Sequence, residues 1–170
     1  MRILKFGGSS VGSPARIEQV ISILQTYFDN KIDIGVVFSA FQGVTDGLIA
    51  LANEALLRDN AYQGTLQSLR LKHIDAVNEL VKGAEFQSKA CDETEKMFND
   101  LKDLLHGIYL LQELTPRIMD HILSFGERLS CYIISEALKS RGIDCEYLQS
   151  SELIKTNSSF GNAAVDFSKT

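Results

Sequence analysis

Lys5-Phe6-Gly7-Gly8-Ser9-Ser10-Val11 constrains what this chain can fold into more than any other stretch. An apolar strand, Arg2 to Phe6 (the strand character begins at Met1), runs straight into two glycines and two hydroxyls. A helix follows at once, because Ser13 is a good N-cap and Pro14 suits the first helical position. Strand, glycine turn and capped helix make a βα unit with its turn at the carboxyl end of the strand. Glycine lets the backbone approach an anion closely, and N–H groups at a turn and a helix start point toward one. Gly7, Gly8 and Ser9 are therefore candidate phosphate-binding residues. Lys5 is the candidate catalytic residue, a mobile cation able to balance charge on a transferring phosphoryl group. The pattern is neither the Gly-x-Gly-x-x-Gly of dinucleotide folds nor the Gly-x-x-x-x-Gly-Lys-Ser/Thr of P-loop enzymes. Alone, it also fits a plain strand-to-helix turn with an incidental lysine.

The rest of the first half continues the alternation. A helix from Pro14 to Phe28 places Ile17, Val20, Ile21 and Leu24 on one face. Ile32 to Ala40 is a second strand, and its Val36-Val37-Phe38 run suits a parallel strand covered on both faces. A helix from Asp46 to Arg58 turns Leu48, Leu51, Ala52 and Ala55 inward. Helices are then expected over Thr65–Val81, Asp92–Leu111 and Thr115–Ser140, the last opened by a Thr115 cap with Pro116 and stopped by Gly142. Cys145 to Leu148 reads as a third strand and Ala164 to Phe167 as a fourth. The expected fold class is α/β, a three-layer α/β/α arrangement with a mainly parallel sheet and a helical insertion over about Ala61 to Leu114. Ligands bind such sheets beyond the carboxyl ends of the strands, which sets the turns after the first two strands side by side.

Charge narrows the partners. The net charge is -5, and the positive residues are scattered, so a nucleic-acid surface is not expected. No apolar run approaches the ~18 residues of a membrane span, and no leader pattern precedes the first strand. The 3 cysteines, Cys91, Cys131 and Cys145, fit neither a zinc site nor a disulfide framework. They are expected to be small buried hydrophobes in a cytoplasmic protein. His73, His106 and His121 lack metal-ligand spacing and are expected on helix surfaces or half-buried, and no metal site is assigned.

Two further segments carry chemistry. Ser39-Ala40-Phe41-Gln42-Gly43-Val44-Thr45-Asp46 sets hydroxyls, an amide and a glycine turn opposite the first loop, where they can line a small polar substrate. Helix capping by Thr45 or Asp46 would explain the same residues. Ser124-Phe125-Gly126-Glu127-Arg128-Leu129-Ser130 puts a glycine inside a strongly helical stretch, at a cost of ~1 kcal/mol relative to alanine. Close approach of a ligand or another backbone would compensate. Glu127 can take the ammonium of an amino acid, or form a surface ion pair.

Together the three segments resemble the aspartokinases of the amino-acid kinase superfamily. Lys5 to Val11 is similar to the family's Lys-Phe-Gly-Gly-Thr/Ser-Ser-Val, with Ser9 where threonine is commoner. Val37-Phe38-Ser39-Ala40 through Gly43-Val44-Thr45-Asp46 resembles its Val-Ser-Ala…Gly-Val-Thr-Asp turn, and Ser124 to Ser130 its Ser-Phe-Gly-Glu-Arg-Leu-Ser helix. Leu105-His106-Gly107-Ile108-Tyr109-Leu110-Leu111 resembles the bifunctional aspartokinase–homoserine dehydrogenases. The resemblance implies ATP-dependent phosphorylation of the L-aspartate side-chain carboxylate, the first step toward lysine, threonine, methionine and isoleucine. It implies that Lys5 stabilises the transferring group and that Gly7, Gly8 and Ser9 cradle nucleotide phosphate. Ser39 and Thr45 would line the aspartate site, and Glu127 would bind the amino group. Mg2+ is expected on the nucleotide, held mainly by phosphates, and a homo-oligomer is expected.

The family's Gly-Arg-Gly-Gly-Ser-Asp-type loop, nucleotide-binding half and regulatory modules have no counterpart in residues 1–170. The chain is thus expected to be the N-terminal, substrate-binding part of an aspartokinase catalytic domain, inactive by itself. Two alternatives stand beside this. One is another kinase of the superfamily, acting on glutamate, acetylglutamate, carbamate or a nucleotide. The other is a non-catalytic oligomerisation module that keeps the old loops.

Overall fold

The computed structural model describes residues 2–170, so Met1 at the head of the first strand lies outside the described residues. The chain runs β1 (Arg2–Phe6), α1 (Pro14–Asp29), β2 (Ile34–Phe38), α2 (Val44–Leu56), α3 (Ala61–Leu80), α4 (Ala84–Leu111), α5 (Pro116–Lys139) and the single turn α6 (Ser150–Leu153). β1 and β2 pair in parallel, with Lys5 opposite Val37 and Phe6 opposite Phe38. Parallel strands need a crossover, and α1 supplies it. Its start follows the expected chemistry, since the Ser13 side chain accepts from Arg16 N and Pro14 opens the helix. Thr115 and Pro116 open α5 in the same way. Past its end, Gly142 takes φ 79°, a left-handed conformation suited to glycine.

Helical periodicity places the core correctly. Ile17, Val20, Ile21 and Leu24 of α1, and Leu48, Leu51, Ala52 and Ala55 of α2, are buried. The long helices add Leu69, Val77, Leu80, Leu101, Leu105, Ile108, Ile122, Leu129 and Ile133 to the same core. Arg70 of α3 forms a two-pronged ion pair with Glu95 of α4, tying those helices together. Helix α4 begins at Ala84, a full two turns before Asp92. The extra turns bury Ala90, and Gln87 donates to the carbonyls of Asn78 and Val81 at the end of α3.

The sheet departs from expectation in three places. First, only one face is covered. Leu4, Phe6, Ile34 and Val36 pack on the helical core, and Phe6 stacks on Phe38 with centroids 5.7 Å apart. On the other face Ile3 is 64% and Val37 52% exposed, because no element of residues 2–170 lies over them. Second, residues 143–149 run without turn or bend but form no ladder, so Cys145–Leu148 is not a strand. Third, the segment expected as a fourth strand forms one antiparallel bridge, Val165 with Thr156. The cysteines are free and half-buried rather than fully enclosed. His73, expected at a surface or half-buried, is completely buried.

Candidate active site

The turn after β1 is closed by its own backbone. Ser10 N and Val11 N both donate to Gly7 O, at 2.8 and 3.3 Å. The N–H groups of Gly8 and Ser9 donate to no other described residue. Arg16, one turn into α1, donates from its guanidinium to Ser9 O at 2.7 Å and fixes the outer limb of the turn. The loop after β2 lies against this turn. Ser39 N donates to Phe6 O at 3.0 Å. A Cβ on Gly8 would stand 3.7 Å from Ala40 O and 3.9 Å from Ser39 Oγ, and one on Gly12 would strike Gln42 Oε1 at 2.7 Å. The two strand-end loops are thus in contact, as the parallel topology requires.

Helix α5 supports the second loop from below. Ser130 Oγ donates to Ser39 O at 2.8 Å. A Cβ on Gly126 would lie 2.8 Å from Ala40 Cβ, inside contact distance. The glycine within the helix therefore serves close packing of α5 on Ala40 of this loop and on Val44 and Leu48 of α2. Helix α3 holds the same loop from the side. Lys72 Nζ donates to Gln42 O, and the His73 ring stacks on Phe41 at 5.2 Å. His73 Nδ1 lies 2.7 Å from Leu69 O, which as a carbonyl can only accept, so Nδ1 carries the proton. Burial, with Lys72 next to it, lowers the His73 pKa to about 4, so the ring is neutral at pH 7.

Capping does not use the hydroxyl of Thr45. Helix α2 starts on Gly43 at φ 79° with no side-chain cap, and Thr45 and Asp46 are both exposed. Lys5 is exposed on the open face of the sheet and makes no hydrogen bond or ion pair with a described residue. One cation, two free amides and the Ser9 hydroxyl form a donor set that suits phosphate oxygens. No cluster of three or more His, Cys, Asp or Glu able to hold a metal occurs among the described residues.

Glu127 sits one residue from Gly126 and three from Ser130, which ties it to the loop through the backbone of α5. Its carboxylate has no ion-pair partner among the described residues. It opens onto a cavity of about 850 Å³ shared with Arg117, His121, Ser124, Arg128 and Ser151 and lined in part by Leu104, Ile118 and Phe160. Neither Lys5, Ser39 nor Thr45 lines that cavity, so the structure joins Gly8 with Ser39 but leaves Glu127 on an adjoining wall. The Arg128 guanidinium covers the Phe125 ring at 4.7 Å. Arg16, Lys72 and Ser130 brace the loops, a role that the sequence alone does not assign to them. Arg16 stands in the first turn of the helix that follows the glycines, so its position points to it, whereas nothing local marks Lys72, whose partner is 30 residues away.

Comparison with known proteins places nearly the whole chain in one family. Residues 1–167 match the model of the amino acid kinase family. The maize chloroplastic bifunctional aspartokinase/homoserine dehydrogenase 1 is 30% identical over 159 residues, covering 93% of this chain and 17% of the relative. Schizosaccharomyces pombe aspartokinase is 29% identical over 174 residues, covering 97% of this chain and 33% of the relative. Escherichia coli aspartokinase III, solved with aspartate and ADP, superposes with a TM-score of 0.85 at 25% identity, covering 99% of this chain and 35% of that one. The chain thus spans about a third or less of these relatives. Its α/β fold with a small parallel sheet matches that of the Escherichia coli enzyme, and among the described residues no helix is long and apolar enough to cross a membrane. On its two strand-end loops, its fold and its match over residues 1–167, this chain belongs to the amino acid kinase family.

Proposed function

We propose that this chain is the aspartate-binding part of an aspartate kinase, which transfers phosphate from ATP to the side-chain carboxylate of L-aspartate and yields 4-phospho-L-aspartate and ADP. The observation that carries the reading is the contact between the Gly7-Gly8-Ser9 turn and Ser39 at the ends of two parallel strands. Gly8 and Ser9 amides would hold nucleotide phosphate, with Lys5 neutralising charge that builds on the group in flight. Ser39 and Thr45 would orient the aspartate, and Glu127 would pair with its ammonium. A carboxylate oxygen attacks the γ-phosphorus while the bond to the bridging oxygen breaks, and the electron pair leaves with ADP. The attacking carboxylate is already ionised at neutral pH, so no general base is required. Magnesium, carried in on the nucleotide, would supply further charge neutralisation. Positioning carries the rest.

Three free cysteines support a reducing compartment, and the likeness of Leu105–Leu111 supports a bifunctional type. Binding of aspartate to the 170-residue chain, followed by NMR titration, tests the reading. Thr45→Val and Glu127→Gln should each weaken aspartate binding about tenfold, the loss of one charged or neutral hydrogen bond. Tighter binding of glutamate or acetylglutamate than of aspartate would move the assignment to another member of the family. The chain alone is expected to form no aspartyl hydroxamate from ATP, aspartate and hydroxylamine. Steady product formation would overturn that expectation.

A further inference from the structure

One face of α5 is a polar stripe. Arg117, Asp120, His121, Ser124, Glu127 and Arg128 recur at the three- and four-residue steps of a helix, and all of them line the cavity onto which Glu127 opens. Its volume, about 850 Å³, is that of a small-molecule site. Gln149, Ser150 and Ser151 border it on another side, and Phe160 on a third. Phe160 reaches the cavity from outside the helical body, on a hairpin over residues 155–166. That hairpin is closed on itself. Thr156 bridges Val165, Asn157 N donates to Ala164 O at 3.0 Å, and Asp166 N donates to Lys155 O at 2.8 Å. Every residue from Ser151 to Thr170 except Asp166 is exposed, so burial does not hold the hairpin in place. Among the described residues, a single hydrogen bond joins residues 156–170 to the helical body, from Gly161 N to Asp120 Oδ2 at 2.7 Å. Beside it, the Arg117 guanidinium lies over the Phe160 ring at 5.6 Å. Both contacts are at the hairpin tip, and both are made to the polar stripe. A self-closed arm with few buried contacts, touching the body only at its tip, belongs to the low-stability end of a fold, from which covers and lids are drawn.

Glu127 calls for such a cover. It is exposed, and a carboxylate and an ammonium that meet in open water hold each other weakly. Excluding that water strengthens the pair. We propose that the tip of the 155–166 hairpin closes over an amino acid held at Glu127, with Phe160 as the binding residue that shuts water out from the ammonium and covers the aliphatic carbons. Asp120, through Gly161 N, and Arg117, through the face of the ring, are positioning residues that latch the tip. The proposal rests on the reading of Glu127 as the ammonium site.

The test measures L-aspartate binding to the 170-residue chain by NMR titration, at roughly 0.05 M and 0.5 M salt, between which the screening length falls about threefold. The parent chain, with the pair covered, should lose less than about threefold in affinity between the two. Phe160→Ala should bind about tenfold more weakly at low salt and lose more than the parent on going to high salt, because the pair is then open to ions. Phe160→Leu keeps an apolar cover and should recover most of the affinity. Asp120→Ala should weaken binding too, and the Gly161 amide should exchange about tenfold faster in it than in the parent. Inorganic phosphate, as the probe of the glycine turn, should bind the parent and these variants alike. The proposal alone is overturned, with the aspartate reading left standing, if Phe160→Ala matches the parent in affinity and salt dependence, if Phe160→Leu binds no tighter than Phe160→Ala, if phosphate binding falls in step with aspartate binding, or if the Gly161 amide exchanges equally fast in the parent and in Asp120→Ala. A parent chain that binds no aspartate, or binds it as well after Glu127→Gln, overturns both.

Discussion

His73 shows how much one side chain can link. Its ring lies between Phe41 on the loop after β2 and the edge of Phe98 on α4, 5.2 and 5.3 Å away. It has 0% exposure, and Nε2 finds no partner. An imidazole held neutral in this way makes stability depend on pH with a definite sign. Its folded pKa of about 4 lies below the ordinary value of 6.5, so the unfolded chain binds the proton first as pH falls. The contribution is complete above about pH 6.5 and is lost progressively down to about pH 4, in total about 3 kcal/mol. Urea denaturation at a series of pH values should show that slope. His73→Phe should flatten it while keeping the stack on Phe41, and an unchanged slope in the variant would assign the pH dependence to other groups. The sequence suggests a surface or half-buried position for this histidine, not one inside the core. What decides its burial is Phe41 and Phe98, which are distant in the chain, and the bond to Leu69 O that satisfies only one of its two nitrogens.

At the scale of elements, the contact of α5 with the loop after β2 leaves no room for one more methyl group. Gly126→Ala would bring two Cβ atoms to 2.8 Å on elements that cannot move independently. Overpacking of that kind costs about 1–3 kcal/mol and should outweigh the ~1 kcal/mol that alanine gains as a helix former. The chemical denaturation midpoint should therefore fall, and Ala40→Gly in the same chain should restore most of it. Failure of that rescue would place the strain elsewhere. The helical cost of a glycine is legible in the sequence, and so is the demand for compensation. The identity of its neighbour is not, because it depends on how α5 crosses the sheet. The same division holds for residues 143–149, where the alternation of a strand is legible but the ladder depends on which edges meet. Ser13-Pro14 and Thr115-Pro116 are legible helix starts because capping is local, whereas the early start of α4 depends on Gln87 reaching back to α3.

At the scale of the whole molecule, a large helical body carries a two-stranded sheet on its flank, and only one side of that sheet is dry. The two loops at its end owe their contact to parallel pairing, which the alternation of strands and helices announced. The open side was not announced, since an apolar run such as Val36-Val37-Phe38 reads the same whether or not anything covers it. That side gives Lys5 a second consequence. It stands directly across from Val37, with Ile3 two residues before it, and is the one charged residue in that group. Isolated lysines on exposed sheets keep chains from associating edge to edge or face to face. Lys5→Ala should therefore lower the solubility of the chain as well as its phosphate affinity, with light scattering rising at concentrations where the parent chain stays clear. Lys5→Gln removes the charge while keeping a polar end, and should lose phosphate affinity with less association. A loss of signal in the alanine variant alone would thus report precipitation as readily as chemistry, and the glutamine variant separates the two.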